Sequence, residues 1–137
     1  MSSNLENLVR TGQLKLEPAA EQEVRGLLES GQRRLRDADN KELALESRFD
    51  LAYNAAHALS LAALRRSGFR SENRYLVFQT LSHTTDLSAA QWRVLNDAHR
   101  RRNLAEYEGH LEIDEGLVAA IIRVAHQIQA HLAAFLE

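Results

Sequence analysis

One apolar stripe between residues 41 and 66 constrains the fold of this chain more than any other feature. Apolar residues recur there at steps of four and three, at Leu45, Phe49, Ala52, Ala56, Leu59 and Ala63. That spacing places them on one face of an α-helix, whereas a strand would alternate every second residue. Many of the residues in between are alanines, which lets a neighbouring helix pack closely. The sequence therefore predicts a helix over about 41–66 that lies at the centre of the protein.

Four other segments carry a helical period, and local signals mark where three of them begin. Pro18 suits the first turn of a helix over about 18–37. Ser88, with Gln91 three residues later, has the spacing of a capping box that opens a helix over about 88–107. Asp114 begins a helix that continues towards the C-terminus, because acidic residues favour the positive end of the helix dipole. A shorter helix is predicted over about 71–83.

Two smaller features refine this prediction. Gly31 interrupts the 18–37 stripe, so it either lets another helix approach closely or separates two shorter helices; close approach is the preferred interpretation. Near the N-terminus, the segment ENLVRTGQL predicts a short amphipathic entry that docks on the bundle.

The predicted fold class is all-α, with residues 1–137 forming one domain. The chain has 137 residues, one proline and no repeat or linker, and no run of alternating β-branched residues favours a sheet. Because the connections between helices are short, we expect an up-and-down helical bundle of four long helices plus short extra helices.

Several classes of protein are disfavoured by what the sequence lacks. It contains no cysteine, hence no disulfide framework and no thiolate zinc ligand, which fits a reducing compartment. The first residues, MSSNLENLVR, lack the apolar core of a signal peptide, and no stretch approaches the roughly 18 apolar residues of a membrane span. We therefore expect a cytoplasmic protein without membrane contact.

Common cofactor and metal sites are also missing from the sequence. It has no phosphate-binding glycine loop, no HExxH and no nucleophile elbow. The six histidines are scattered, and His126 and His131, five residues apart, fall on different helix faces. We expect neither a metal nor a cofactor. Since the net charge is only −2, any contact with nucleic acid must come from a local basic patch, and residues 99–102 form the candidate.

The segment HRRRNLAEY, residues 99–107, places polar side chains where an apolar stripe should continue. Counted at about 100° per residue, its buried-side positions follow Trp92 and Leu95 and are His99, Arg102, Asn103 and Glu106. Arg100 and Tyr107 lie at the edge of this face. Burying such groups without partners costs several kcal/mol, so they either satisfy one another or line a wet cleft or interface. The alternative is a solvated helix end, with Arg102 and Glu106 as a surface ion pair and His99 as a bystander.

Three segments resemble the HEPN superfamily of helical bundles. RFDLAYNAAHALSLAALRRSGF is similar to its central alanine-rich helix, and RNLAEYEG to the region of its R-x4-6-H motif, where Arg102 and Asn103 match. DEGLVAAIIRVAHQIQAHLAAFL is similar to its last amphipathic helix, so the resemblance covers about residues 18–136. It implies a relationship to metal-independent ribonucleases, to toxins of toxin and antitoxin pairs, or to partners of nucleotidyltransferases, often dimers with the motif at a shared cleft.

The chain departs from the motif at its histidine. In nuclease members the arginine would stabilise developing phosphorane-like charge while the histidine transfers a proton. Here Tyr107 stands five residues after Arg102, and His110 is too far along. Tyrosine, whose unperturbed pKa is about 10, is a poor base at neutral pH. His99 precedes Arg102 by one turn and could stand in, although the motif itself does not include that position.

The leading hypothesis is a HEPN-like binding or regulatory domain that acts on RNA or a nucleotide as a homodimer, and the resemblance implies a nucleotidyltransferase or an antitoxin as the candidate partner. Its binding residues would be Asn103, Glu106 and Arg100. One alternative is a variant metal-independent endoribonuclease in which Arg102, His99 and Tyr107 are catalytic. A structural adaptor without chemistry is the other.

Overall fold

The computed structural model describes residues 3–135, and most of them are helical. The elements in chain order are α1 (Ser3–Arg10), β1 (Lys15–Leu16), α2 (Glu21–Ala38), α3 (Leu45–Arg66), β2 (Phe69–Arg70), α4 (Arg74–Gln79), α5 (Leu81–Thr84), α6 (Ala89–Glu108) and α7 (Glu115–Ala133). The predicted all-α class is confirmed, and within residues 3–135 four helices have 18 to 22 residues. The finer up-and-down arrangement stays a prediction.

Helix α3 lies at the centre, as its stripe predicts. It packs against α2 and α7 and also contacts α4, α5 and α6. Phe49, Ala52, Ala56 and Leu59 are completely buried. Because the stripe consists largely of alanine, the neighbouring helices approach its backbone closely and exclude water along its length.

Gly31 confirms the close-approach interpretation. Helix α2 continues without a break through this position, where α2 lies against α3. A Cβ atom on Gly31 would stand 2.6 Å from Leu59 Cγ and 3.3 Å from the Ala55 carbonyl oxygen. The first of these distances is shorter than van der Waals contact allows, so only glycine fits there without a shift.

The predicted start of the second helix was wrong by three residues. Helix α2 begins at Glu21, and Pro18 precedes it in an extended segment. Residues distant in sequence hold this segment in place by hydrogen bonds. Glu17 N donates to the Gly68 carbonyl at 2.8 Å, and Arg65 donates to the Pro18 carbonyl at 3.2 Å. Next to it, β1 and β2 form an antiparallel ladder of two residue pairs, which composition did not predict.

Arg65 explains why the N-terminal segment takes this path. Its guanidinium is buried, with 1% of the side chain exposed, and holds Glu23 through two hydrogen bonds of 2.8 and 3.0 Å. It also donates to the Glu17 and Phe69 carbonyls. Arg70 joins the cluster by bonding both carboxylates. One buried cation therefore ties the end of α3 to the entry of α2.

Other boundaries differ from the prediction for local reasons. The 71–83 segment forms two helices, α4 and α5, with Asn73 capping the first through Leu76 N. Helix α3 begins at Leu45, because residues 40–43 form a turn in which Asn40 accepts two backbone hydrogen bonds. The Ser88 capping box and the Asp114 cap are both confirmed. Helix α7 ends at Ala133, and the predicted continuation over 136–137 lies outside the described residues.

The predicted N-terminal entry is confirmed as helix α1. Leu5 and Leu14 pack with Leu64 and Phe69 in a second, smaller apolar cluster. Among the helices of residues 3–135, none is both long and apolar enough to cross a membrane.

Candidate functional site

Helices α3, α4 and α6 bring the candidate site together around one buried ring, that of Tyr53 on α3. The Tyr53 hydroxyl lies 2.8 Å from Nδ1 of His99 on α6. The two rings are also nearly parallel, with centroids 6.2 Å apart and planes inclined by 16°. Phe49 stacks on Tyr53, and Phe78 meets both Tyr53 and His99 edge-on. Packing and a hydrogen bond together fix the orientation of the His99 imidazole.

Two arginines lie against the same tyrosine ring. The Cζ atom of Arg102 is 5.1 Å from the Tyr53 centroid, and that of Arg74 is 5.4 Å away. Both distances are within the range of a cation–π interaction. Arg74 also donates to Asn54 Oδ1 at 3.0 Å. Within residues 3–135, no carboxylate pairs with either guanidinium, so neither charge is neutralised there.

Arg100 and Arg101, the neighbouring arginines, do have a carboxylate partner. Arg100 and Arg101 both bond Asp97, at 2.6 and 3.0 Å, and Arg101 also donates to the Glu112 carbonyl. Burial raises the pKa of Asp97, but these hydrogen bonds outweigh it and hold the pKa below its usual 3.8. The carboxylate is therefore ionised and offsets part of the charge of the HRRR segment. Arg102 is the arginine of that segment that has no carboxylate partner among residues 3–135.

His99 is held in its neutral form. Burial lowers its pKa from 6.5, and the charges of Arg74 and Arg102 lower it further. Asn103 Nδ2 lies 3.1 Å from His99 Nε2 and donates to it, which leaves the proton on Nδ1, facing the Tyr53 oxygen. Both ring nitrogens thus have partners within the chain.

A second histidine, His57, lies in the same positive field. Its pKa is lowered to about 4 by burial first, then by Arg74 and His99. The ring meets Phe78 edge-on at 6.0 Å. At neutral pH the charge at this site therefore comes from the arginines, and the two imidazoles are neutral.

Beside His99, an open groove of about 560 Å³ runs along α6 opposite α4, and we call it the α4–α6 groove. Its lining residues are Tyr75, Asn96, Asp97, His99, Arg100, Asn103, Leu104 and Tyr107. Three of them expose a large apolar side chain: Tyr75 at 45%, Leu104 at 39% and Tyr107 at 86%. The groove combines exposed aromatic rings with amide groups and a cation.

The structure brings together most of the residues that the sequence singled out. His99 and Asn103 bond each other and line the groove with Arg100 and Tyr107. Arg102 lies over Tyr53 instead of in the groove lining. Glu106 is exposed and forms no ion pair with Arg102, so the surface pair of the solvated-end alternative is absent from the described residues.

Sequence reasoning missed the residues of the site that precede His99, among them Tyr53, His57 and Arg74. Tyr53 and His57 lie in the alanine-rich segment AYNAAH. A hydroxyl and an imidazole in a helix that is predicted to be buried need polar partners, so both residues could have been predicted to belong to a site. Arg74 gave no such signal, because only the packing of α4 brings it to α3 and α6.

No protein-family model, curated protein or solved structure matches the chain. Among residues 3–135, no three His, Asp or Glu side chains converge as metal ligands would.

Proposed function

We propose that the protein is a HEPN-like binding domain that holds phosphate groups of RNA or a nucleotide with Arg74 and Arg102. The observation that carries the proposal is the meeting of these two guanidiniums at Tyr53 without a carboxylate partner in residues 3–135. Arginine matches phosphate through its planar set of donors, and an arginine that packs on a ring keeps donors for a ligand.

The electrostatics of the site support an anionic ligand. Arg74 and Arg102 are close enough to His99 for both to lower its pKa, so the histidine adds no charge of its own at neutral pH. An anion that bound here would meet two unneutralised cations on a rigid support. The chain as a whole carries a net charge of −2, so such binding would be local and not a property of the general surface.

Binding to single-stranded RNA tests the proposal. We expect a fluorescein-labelled RNA decamer to bind at low salt, with the affinity measured by fluorescence anisotropy. Arg102→Gln and Arg74→Gln should each weaken binding by about tenfold to a hundredfold, since a hydrogen bond to a charged group is worth roughly 1.5–3 kcal/mol.

The matched control for these variants is Arg33→Gln, which removes the same charge from the exposed face of α2. It should leave the affinity within about twofold, because a charge remote from the bound phosphates is screened. An equal loss in all three variants would show that binding depends on net charge alone and would contradict the site.

The endoribonuclease alternative is favoured by one observation, the neutral His99 beside Arg102. A neutral imidazole next to a guanidinium suits proton transfer from a ribose hydroxyl. Its Nε2 is bonded by Asn103, however, so Asn103 would have to move before that nitrogen could accept a proton. RNA cleavage in EDTA that both Arg102→Gln and His99→Ala abolish would favour this alternative over binding alone.

A further inference from the structure

We propose that the α4–α6 groove receives an unpaired nucleobase of the ligand whose phosphates Arg74 and Arg102 hold. Tyr75 and Tyr107 would supply aromatic surfaces for stacking, and Asn96 and Asn103 would supply amide groups for the base edge. This inference rests on the proposed function and narrows it to nucleotides whose base is free of a duplex.

The exposed apolar side chains of the protein are concentrated at this groove. Within residues 3–135, six large apolar side chains are exposed, and three of them, Tyr75, Leu104 and Tyr107, line it. Single exposed apolar residues need no explanation, but a cluster around a concave surface indicates a binding site. Tyr107 is 86% exposed, so its ring face is open to a ligand.

The polar groups of the groove have hydrogen-bonding capacity left over. Asn103 uses its amide nitrogen on His99, while its carbonyl oxygen accepts nothing from residues 3–135. Asn96 Oδ1 is buried and also has no partner among those residues. The Asn103 side chain is exposed, so its oxygen can exchange water for a donor from a ligand. Amide side chains carry a donor and an acceptor side by side, as the edge of a nucleobase does.

The charges around the groove favour a nucleotide over an apolar peptide. Arg100 lines the groove directly, and His99 in its wall lies next to Arg102 and Arg74. Asp97, the carboxylate in the lining, is bonded by Arg100 and Arg101. Proteins that bind single strands combine such cations with aromatic side chains on which bases stack. A base in this groove would leave its phosphate on the side of His99 where the arginines lie.

This arrangement predicts discrimination between ligands that have the same charge. A base inside a duplex is stacked and paired, so it cannot enter the groove without being unstacked. A bare chain of phosphates would contact the arginines and leave the tyrosines empty. The ligand of highest affinity should therefore be single-stranded, with its bases present.

The test compares a uridine hexamer with an abasic hexamer of equal phosphate number, by competition against the labelled decamer. We expect the abasic strand to bind wild-type protein about fivefold to a hundredfold more weakly, which is the range that stacking of one base contributes. Tyr107→Ala and Tyr75→Ala should weaken the uridine hexamer by a similar factor and leave the abasic strand unchanged. Tyr107→Phe keeps the ring and should retain the discrimination between the two strands, which Tyr107→Ala loses.

The outcomes separate this inference from the proposed function. If both strands bind equally and the tyrosine variants have no effect, the groove does not hold a base, while the arginine site stands. If neither strand binds, or if Arg102→Gln changes nothing, both proposals fail. If light scattering shows a dimer that Tyr107→Ala dissociates, while discrimination between the strands is absent, the groove is covered by a second copy and the base site is wrong.

Discussion

Two histidines of the site, on different helices, have a pKa that burial lowers first and the charge of Arg74 lowers further. Arg74 lowers the pKa of His57 on α3 and that of His99 on α6, whereas Arg102 acts on His99. In both cases burial is the larger cause. The pKa of His57 therefore depends on Arg74, whereas the pKa of His99 depends on both Arg74 and Arg102.

Histidine titrations by NMR give a prediction at this scale. Arg74→Gln removes a positive charge near both imidazoles, so the pKa values of His57 and His99 should both rise. Arg102→Gln should raise the pKa of His99 and leave that of His57 nearly unchanged. All of these values should stay below 6.5, since burial still disfavours the charged form. A shift of His57 in Arg102→Gln as large as that of His99 would contradict this arrangement.

Much of the candidate site was readable from residue spacing on α6. Helical geometry predicted one face with His99, Arg102, Asn103 and Glu106, and put Arg100 and Tyr107 at its edge. His99, Asn103, Arg100 and Tyr107 line one groove, whereas Arg102 and Glu106 do not. The pairing of Arg100 and Arg101 with Asp97 follows the i,i+3 and i,i+4 spacing of neighbours on a helix. Spacing could not predict that Tyr75 forms the opposite wall or that Arg74 reaches Tyr53, because both residues lie on α4, whose docking depends on tertiary packing.

At the scale of elements, the α2–α3 contact depends on one missing side chain. Gly31 faces Leu59 and the backbone of Ala55, whereas Gly26 on the same helix has no atom within 4 Å of where its Cβ would be. Gly31 therefore stabilises the fold by allowing close packing, whereas Gly26 only lowers the helix propensity of α2.

The paired substitutions Gly31→Ala and Gly26→Ala should move stability in opposite directions. Gly31→Ala forces Leu59 and the α2–α3 contact apart, and overpacking of this kind costs roughly 1–3 kcal/mol. Gly26→Ala adds a good helix former in open space and should stabilise by roughly 0.5–1 kcal/mol. Urea unfolding followed by circular dichroism measures both. Equal effects of the two changes would mean that α2 does not approach α3 at Gly31.

The hydrophobic period predicted where the helices lie, but it did not always predict the residue at which a helix begins or ends. Local caps fixed the starts of α6 and α7, where Ser88 and Asp114 bond the first turn. The start of α2 escaped prediction because Arg65, 47 positions after Pro18, holds that segment in an extended form. The β1–β2 ladder adjoins the same cluster, since Arg65 donates to the Phe69 carbonyl and Arg70 bonds Glu17 and Glu23. A buried ion pair between distant parts of the chain produces no periodic pattern in the sequence, so it cannot be predicted from residue spacing.

At the scale of the whole molecule, the charges are arranged so that most buried or half-buried arginines have carboxylate partners. Arg48 pairs with Glu115, and Arg65 and Arg70 share Glu17 and Glu23. Within residues 3–135 this leaves Arg74 and Arg102 as two unneutralised cations that meet at one place. A protein with a net charge of −2 thus concentrates positive charge at one place, and this is the basis for proposing that it binds an anion there.

The salt dependence of RNA binding measures how many phosphates this site holds and tests the account most directly. Each phosphate neutralised on a single strand contributes about 0.7 to the slope of log K against log salt concentration, so two should give a slope of about −1.4. Arg74→Gln and Arg102→Gln should each reduce its magnitude by about 0.7, and Arg33→Gln should not. A slope that is near zero, or that neither site variant changes, would contradict the claim that Arg74 and Arg102 bind the phosphates of the ligand.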